Sequence, residues 1–279
     1  MFQKAERKKS KLRLALIGPS GSGKTQSALL IAKGLGAKKI AVIDTEHGSA
    51  SLYSDIADFF VYEMTPPFNS QKYEQAIKYA EKEGFDCIII DSLSHCWAGE
   101  GGLLEMQSKI AEKPGKNSYT SWAEITPIYN HLIAVIQSSS CHIIATMRSK
   151  TEYAMIQKDD KKTKIEKIGS APIQRDGMEY EFTVVFDLDT AHNVNCSKDR
   201  TGMFDKKSFI PSEETGKKLI DWLNKGIELP PIQMITEEQI TRIKNSSAKL
   251  ESILSYFKVE KLEDLTLEQA DIVINQLKD

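Results

Sequence analysis

One glycine-rich segment near the N-terminus constrains this sequence more than any other feature. The segment Gly18-Pro-Ser-Gly-Ser-Gly-Lys-Thr25 matches the spacing GxxxxGK[ST]. The apolar run Leu12–Ile17 before it predicts a β-strand, and Thr25–Leu35 after it predicts a helix. Glycines let the main chain wrap closely around an anion, and the helix N-terminus adds a favourable dipole. The segment is therefore predicted to be a phosphate-binding loop.

The chemical roles within such a loop follow from residue type. Lys24 would reach the β- and γ-phosphates of a nucleoside triphosphate, and the Thr25 hydroxyl would bind Mg²⁺. The predicted cofactors are ATP, ADP and Mg²⁺. The candidate ATP-binding residues here are Gly18, Pro19, Ser20, Gly21, Ser22, Gly23, Lys24, Thr25 and Gln26.

A second apolar run predicts the metal-binding partner of this loop. Cys87-Ile-Ile-Ile-Asp91 is continuous, as expected of a strand covered by helices on both faces, and it ends in an acid. The carboxylate of Asp91 would hold Mg²⁺ beside the phosphates. An acid after an apolar strand is common by itself, so this prediction depends on the loop upstream.

Hydrolysis also requires a group that positions and activates the attacking water. The predicted strand Ile40–Asp44 runs into Glu46, which places this carboxylate at the sheet edge where ligands bind in open α/β folds. A kinase would not need such a carboxylate, whereas a hydrolase would. Glu46 is therefore the predicted catalytic base, and a solvated loop acid is the alternative.

Apolar runs alternate with helical segments over roughly the first 230 residues, which is typical of βαβ units on a mainly parallel sheet. Cys141–Thr146 is another clear strand, and helices are predicted at Gln71–Glu83 and around Thr120–Gln137. After Arg148 the alternation stops for about 30 polar residues and resumes with the predicted strand Glu181–Leu188. The pattern predicts an α/β fold.

Pro230-Pro231 predicts a domain boundary, because two prolines cannot continue the preceding helix. The predicted domains are an α/β core at residues 1–229 and a small all-α domain at residues 230–279. Thr236-Glu-Glu-Gln239 and Thr266-Leu-Glu-Gln269 both fit the capping box that begins a helix. The second domain holds 6 basic and 9 acidic residues, which favours a protein-contact role or a passive cap over DNA binding.

Composition excludes several classes of protein. The 279 residues carry a formal net charge of -2, so any nucleic-acid contact must come from local patches. No apolar run approaches the roughly 18 residues of a membrane span, and the basic N-terminus lacks a cleavage site. The four cysteines form no CxxC pair and the histidines form no HExxH, which argues against a zinc enzyme. These features predict a cytoplasmic protein with reduced thiols and no membrane partner.

Two segments bear a specific family resemblance. Ile43-Asp-Thr-Glu-His47, with Tyr53 seven residues after Glu46, resembles the segment of bacterial RecA recombinases that carries their catalytic glutamate and adenine-stacking tyrosine. This resemblance implies that Glu46 activates water and that Tyr53 contacts adenine. Ile90-Asp-Ser-Leu93 resembles the second motif of the same family.

A third segment, Ser197-Lys-Asp-Arg-Thr-Gly202, resembles the RecA-like element whose two cations reach across a subunit interface to the γ-phosphate of the neighbour. On that resemblance Lys198 and Arg200 are catalytic groups that act in trans, which ties hydrolysis to a homo-oligomeric filament or ring. A solvated basic hairpin is the alternative.

A closer resemblance is carried by four segments: Ile43–Glu46, Asp91–Gly102, Thr146–Tyr153 and Gln174–Glu181. Through them the chain from Lys11 to about Leu223 resembles the phage-encoded RecA-like ATPases grouped with single-strand annealing proteins. This implies a RecA-like core in the host cytoplasm, with single-stranded DNA as partner and a single-strand-binding protein as a further candidate. RecA has a sensor glutamine at the end of its fourth strand; here Thr146 and Arg148 are the open candidates for that role.

RecA-like proteins bind DNA with two loops, which this sequence places near Gly99–Ser121 and Arg148–Met178. From Arg148 to Arg175 the second segment has a net charge of +4, which suits phosphate contacts. Solvated, flexible insertions explain the same charges. The DNA-binding candidates are Lys109, Lys113, Lys116, Lys150, Lys158, Lys161, Lys162, Lys164, Lys167 and Arg175.

Three functions therefore remain as hypotheses. The favoured one is Mg-dependent ATP hydrolysis coupled to single-stranded DNA binding in recombination or strand annealing. A P-loop kinase is a second hypothesis, and it would need an acceptor pocket and a lid. The third is an ATP-driven protein-assembly switch, such as a loader, that does not bind DNA directly.

Overall fold

The computed structural model describes residues 4–157, 163–227, 234–246, 250–257, 259 and 261–276, and for residues 151–157 and 163–170 it describes the main chain alone. The chain divides into two compact units, Met1–Gly226 and Ile227–Asp279. The predicted boundary at Pro230-Pro231 lies outside the described residues.

A mainly parallel sheet forms the centre of the first unit. Its strands are β1 (Arg13–Gly18), β2 (Ile40–Asp44), β3 (Phe59–Glu63), β4 (Cys87–Asp91), β5 (His142–Gln157), β6 (Thr163–Pro172), β7 (Val184–Leu188), β8 (Val194–Asp199) and β9 (Ser208–Phe209). They follow the order β3-β2-β4-β5-β1-β7-β8-β9, and β6 pairs with β5 outside this path. Neighbours from β3 to β7 are parallel, whereas β8 and β9 pair antiparallel. The predicted α/β class is confirmed.

Helices cover both faces of this sheet, as the near-continuous apolar runs of its strands predict. The described helices are α1 (Lys24–Gly34), α2 (Ser70–Lys82), α3 (Ser94–Ala98), α4 (Leu103–Ala111), α5 (Ser118–Ser138) and α6 (Glu213–Leu223). Since side chains alternate along a strand, β1 sends Ala15 and Ile17 into one core and Leu14 and Leu16 into the other. The first core includes side chains of α2 and α5, and the second includes side chains of α1 and α6.

Side-chain caps explain where two of these helices begin. Asn69 accepts a hydrogen bond of 3.0 Å from the N–H of Lys72 at the start of α2. Asn117 and Thr120 form a reciprocal capping box at the start of α5. Each cap satisfies a main-chain donor that has no partner within the helix.

Both segments predicted as DNA-binding loops are largely regular structure, so their prediction as loops was wrong. The segment Gly99–Ser121 contains α4 and the first turn of α5. Within Arg148–Met178, β5 continues past the sheet and pairs antiparallel with β6, from Ser149 opposite Pro172 to Gln157 opposite Thr163. The hairpin lacks the continuous apolar run of a doubly covered strand, which is why sequence periodicity missed it.

The second unit is helical in its described part. Its helices are α7 (Glu237–Lys244), α8 (Leu250–Phe257) and α9 (Leu267–Gln276). The predicted capping boxes are present, because Thr236 and Gln239 bond reciprocally, as do Thr266 and Gln269. Buried side chains from Ile235 to Ile274 form a separate small core.

Among all described helices, none is long and apolar enough to cross a membrane.

Candidate active site

The glycine-rich segment forms a tight loop between β1 and α1. Gly21 and Gly23 have φ values of 76° and 80°, a left-handed conformation that favours glycine. The ammonium of Lys24 donates to the carbonyl oxygens of Gly18 and Pro19, at 3.0 and 2.8 Å, and so lies across the loop. Burial lowers the pKa of Lys24, which the charge of nearby acids partly offsets. The loop thus has the conformation and the cation that phosphate binding requires.

Asp91 lies beside this loop at the end of β4. Its carboxylate accepts hydrogen bonds from the Thr25 hydroxyl at 2.5 Å and from the Thr146 hydroxyl at 2.6 Å. Burial raises the pKa of Asp91, and the two hydroxyl donors oppose that rise. Thr25 and Asp91, predicted as a pair 66 residues apart, are therefore in direct contact.

The chemistry of this pair fits a magnesium ion. A hydroxyl and a carboxylate are hard oxygen donors of the kind that Mg²⁺ binds, with water and phosphate oxygens completing its shell. Within the described residues there is no cluster of three or more His, Cys, Asp or Glu side chains that would hold a metal independently of a nucleotide.

The turn after β2 is built around Asp44, which sequence reasoning did not single out. Its buried carboxylate accepts the N–H groups of Glu46 at 2.6 Å and Ala50 at 2.9 Å. The next residue, Thr45, accepts the N–H of Ser92 at 2.8 Å and so ties the turn to the end of β4. These bonds fix the main chain that carries Glu46.

The side chain of Glu46 is paired with Arg148 of β5. Arg148 Nε donates to Glu46 Oε1 at 2.8 Å, and Nη2 donates to Oε2. Burial alone would favour the neutral acid, but the hydrogen bond and charge of Arg148 outweigh it and lower the pKa of Glu46. The predicted catalytic base is thus held as an ion by one of the two sensor candidates.

His95 is a further residue of this site that the sequence did not reveal. Its Nδ1 lies 2.7 Å from the Thr45 hydroxyl, and its ring stacks on Phe68 with centroids 5.0 Å apart. Burial and the charge of Arg148 lower its pKa. His95 therefore supports the turn that carries Glu46 from the side of α3.

One cleft of about 590 Å³ brings most of the predicted site residues together. Tyr53, at the end of a short 3₁₀ helix, lines it together with the loop, and its contact with adenine stays a prediction. Gln26 is exposed in the first turn of α1. The lining includes Ser20, Gly21, Gly23, Lys24, Thr25, Glu46, Tyr53, Asp91 and Arg148.

Lys198 and Arg200 lie away from this lining. The Lys198 ammonium donates to the carbonyl oxygens of Glu179 and Tyr180, at 3.1 and 2.6 Å, and Arg200 donates to that of Tyr180 at 3.3 Å. Neither residue lines the cleft that contains Lys24. Any contact that they make with a phosphate would therefore need a neighbouring subunit or a rearrangement.

The DNA-binding candidates on α4 and near the start of α5 are largely engaged locally. Lys109 forms an ion pair with Glu105, and Lys116 forms one of 2.7 Å with Glu124. Lys113 is exposed. Exposed pairs of this kind are weak, so they do not prevent these lysines from meeting a ligand.

The candidates on the second segment differ in their surroundings. Lys150 is exposed on β5. The Arg175 guanidinium lies 4.8 Å from the ring centre of Tyr129 and donates to Thr126, so it faces α5. Lys158, Lys161 and Lys162 lie outside the described residues, as do the side chains of Lys164 and Lys167.

Three features of this cleft define a P-loop ATPase. They are the glycine-rich loop with its lysine, the buried acid in contact with the loop threonine, and the carboxylate across the cleft. Residues 10–216 match the family model described as "AAA domain", so the chain belongs to this family of AAA-type P-loop ATPases.

Comparison with solved structures finds similarity to the RadB recombinase, at 17% identity and a TM-score of 0.38, covering 73% of this chain and 89% of that one. It also finds similarity to a prototypical ATPase from the type III secretion system of pathogenic bacteria, at 13% identity and a TM-score of 0.40, covering 94% of this chain and 80% of that one. Comparison with curated protein sequences gives no match.

Proposed function

We propose that this ATPase couples ATP hydrolysis to the binding of single-stranded DNA in recombination or strand annealing. One observation carries the proposal: β5 passes directly from the ATP site into the hairpin that it forms with β6. Thr146 and Arg148, both on β5, contact Asp91 and Glu46. A ligand that moves the hairpin would therefore act on the groups of the ATP site through a single strand.

The charge of the hairpin supports a nucleic-acid partner. From Arg148 to Arg175 the sequence has a net charge of +4, whereas the whole chain has -2. A local basic segment of this kind can neutralise phosphates without a general basic surface. The overlap of this charge with the extension of β5 supports a phosphate-binding role for the strand that reaches the ATP site.

The residues of the cleft divide the chemistry among them. Thr25 and Asp91 would hold Mg²⁺, which supplies charge neutralisation and orientation of the phosphates. Lys24 leaves the loop carbonyls and binds the phosphate oxygens. Glu46 accepts a proton from the attacking water once Arg148 releases its carboxylate. Of the two sensor candidates we favour Arg148, because it contacts the base itself.

Arg148 gives this scheme an inactive ground state. A carboxylate held side-on by a guanidinium is a weaker base, because the ion pair stabilises its ionised form and engages both of its oxygens. Binding of a γ-phosphate offers Arg148 a competing anion, and movement of the hairpin shifts the main chain that carries it. Either event frees Glu46, so nucleotide and DNA favour the same active arrangement.

We further propose that the active form is a homo-oligomer. Lys198 and Arg200 do not line the cleft of their own subunit, which suits groups that serve a neighbour. The edge strand β3 supports association as well, because Phe60 and Tyr62 are 61% and 48% exposed beside Tyr79 of α2, which is 64% exposed. An edge strand with exposed aromatic side chains is a surface that natural proteins usually cover.

The DNA proposal is tested by fluorescence anisotropy with labelled single-stranded DNA. A Lys164→Glu/Lys167→Glu variant reverses two charges on β6, and Lys78→Glu/Lys82→Glu reverses two on α2 as a matched control. We expect the β6 variant to weaken binding at least tenfold and to flatten its salt dependence, since each lost phosphate contact lowers the salt slope. Equal affinities of the two variants would contradict the proposed role of the hairpin. Absence of DNA binding by the wild-type chain with ATP would favour the protein-assembly switch.

A further inference from the structure

A buried hydroxyl directly after β4 has no hydrogen-bond partner. It belongs to Ser92, which follows Asp91 and is 0% exposed. Two other buried side-chain atoms in the described part of the chain also lack a partner, Arg13 Nε and Arg175 Nη1, but each belongs to a guanidinium that donates through another nitrogen. The hydroxyl is the only polar group of the Ser92 side chain. Native proteins satisfy nearly all buried hydroxyls, so this exception calls for an explanation.

Main-chain hydrogen bonds fix Ser92 beside the turn that carries Glu46. The strands β2 and β4 are parallel neighbours with Asp44 opposite Asp91, so the two chains leave the sheet side by side. The N–H of Ser92 donates to the Thr45 hydroxyl at 2.8 Å, and the N–H of Thr45 donates to the Asp91 carbonyl at 2.7 Å. The position of Ser92 is therefore set by bonds that do not involve its own hydroxyl.

The hydroxyl of Ser92 lies near the carboxylate of the predicted base. Burial raises the pKa of Glu46, Arg148 is the main group that lowers it, and the Ser92 hydroxyl lowers it further. The two side chains form no hydrogen bond in the arrangement in which Arg148 engages both carboxylate oxygens. Ser92 is thus a donor without an acceptor, beside an acceptor that another residue holds.

We propose that Ser92 is a positioning residue that receives the Glu46 carboxylate when Arg148 releases it. Its hydroxyl donates to one carboxylate oxygen and leaves the other for the attacking water. The inference rests on the proposed role of Glu46 as the base. Ser92 does not line the ATP cleft, so it acts on hydrolysis through Glu46 and makes no contact with the nucleotide. A released carboxylate without such a partner would adopt several orientations, whereas proton transfer needs one within reach of the water.

Two substitutions separate the hydroxyl of Ser92 from its volume. Ser92→Ala removes the donor, and Ser92→Cys keeps a side chain of similar size whose thiol is only a weak donor. We expect both variants to lower kcat for ATP hydrolysis about tenfold or more, the scale of a hydrogen bond to a charged group, while KM for ATP stays within about threefold. Wild-type kcat in Ser92→Cys would overturn the proposal, because volume alone would then account for the residue. If Ser92→Ala fails to fold, Ser92→Cys carries the same test.

A double-mutant cycle tests whether Ser92 acts through Glu46. In a Glu46→Ala background no carboxylate remains to be positioned, so Ser92→Ala should change the single-turnover rate by less than about twofold. An equal loss in both backgrounds would overturn the proposal, since Ser92 would then act through another group. The matched control is Ser70→Ala, which removes a hydroxyl from a residue that is 2% exposed at the start of α2 and should keep the wild-type kcat.

The metal ligand next to Ser92 requires a separate control. A substitution at Ser92 that displaced Asp91 would weaken Mg²⁺ binding and lower kcat for a different reason. The proposal expects the Mg²⁺ concentration for half-maximal turnover to stay within about twofold of the wild type in Ser92→Ala and Ser92→Cys. A large rise in that concentration, with normal kcat at saturating Mg²⁺, would overturn it.

The outcomes separate this inference from the proposed function. If Glu46→Gln keeps wild-type turnover, the base lies elsewhere and Ser92 loses its role with it. If Glu46→Gln loses turnover while Ser92→Ala and Ser92→Cys keep it, only the role of Ser92 fails. If the Ser92 variants behave as expected but single-stranded DNA neither binds nor stimulates hydrolysis, only the coupling to DNA fails.

Discussion

Arg148 holds the carboxylate of Glu46 side-on, although the two residues are 102 positions apart in the chain. Glu46 lies in the turn after β2, and Arg148 lies on β5, two strands away in the sheet beyond β4. The pair therefore spans the strand that ends in Asp91. It joins the predicted catalytic base to the strand that continues as the hairpin.

Replacement of the base tests its role directly. We expect Glu46→Gln to keep ATP binding and to lower the hydrolysis rate by a factor on the order of 10² or more, the scale of a lost general base. The turn should survive, because Asp44 bonds the main chain of Glu46 and leaves the side chain free to change. Steady-state turnover and nucleotide titration measure the two effects, and wild-type turnover would place the base elsewhere.

Removal of the guanidinium should change the pH dependence of hydrolysis. Burial raises the pKa of Glu46 and Arg148 is the main group that lowers it, so Arg148→Met should raise that pKa. The base is active only when ionised, so activity is lost as pH falls through its pKa. The acid limb of the pH profile of kcat/KM, which reports the free enzyme, should therefore move to higher pH in Arg148→Met. An unchanged acid limb would mean that Glu46 is not the group that titrates.

The buried carboxylate of Asp91 should make ATP binding depend on Mg²⁺. In the wild type, EDTA should weaken ATP binding, because Thr25 and Asp91 can no longer act through Mg²⁺. In Asp91→Asn, affinity should already be reduced and EDTA should change it little. Calorimetric titration with and without EDTA gives both numbers. An equal effect of EDTA in the two proteins would show that Asp91 is not a ligand.

The role of Lys198 on β8 and of Arg200 in the following turn is tested by mixing two variants. Lys198→Ala/Arg200→Ala should lose turnover on the order of 10³-fold, the scale of a lost arginine finger, while it keeps ATP binding. An equimolar mixture with Lys24→Ala should regain activity, because each variant supplies what the other lacks at a shared interface. If the mixture stays inactive, the two groups do not act in trans.

A buried histidine at the end of the sheet opposite the ATP site predicts that the fold loses stability at acid pH. His142 accepts the N–H of Leu12 at 3.0 Å, and burial, with the charges of Lys11 and Arg13, lowers its pKa to about 4. Its contribution to stability is complete above its unfolded pKa of roughly 6.5 and is lost as pH falls towards 4. His142→Asn should flatten the loss of thermal stability over this window, and parallel melting curves in the two proteins would contradict that expectation.

The sequence predicted the parts of the site that depend on local pattern. Contiguous residues are enough to recognise the loop Gly18–Thr25 and the acid at the end of the Cys87–Asp91 run. The buried parallel sheet follows from the apolar runs. The partner of Glu46 and the contact of His95 with Thr45 were not predictable in this way. Both depend on which strands are neighbours and on their register, which periodicity does not specify.

The β5–β6 hairpin is an element that the sequence pattern did not predict. Its residues 149–172 alternate too weakly to indicate strands, and the segment was predicted as a polar loop. The edge strand β3 was missed for a similar reason, since Phe59–Glu63 is short and only partly covered. Elements that helices do not cover on both faces leave a weak hydrophobic pattern. They are also the elements on which the proposed partners would act.

The central claim is that DNA on the hairpin controls the ATP site through β5. Its most direct test is the steady-state ATPase rate without DNA, with single-stranded DNA and with double-stranded DNA, each at two salt concentrations. The account predicts stimulation by single-stranded DNA that weakens as salt rises, and loss of stimulation in Lys164→Glu/Lys167→Glu. A rate that does not respond to single-stranded DNA at either salt concentration, together with no binding of that DNA when ATP is present, would contradict it.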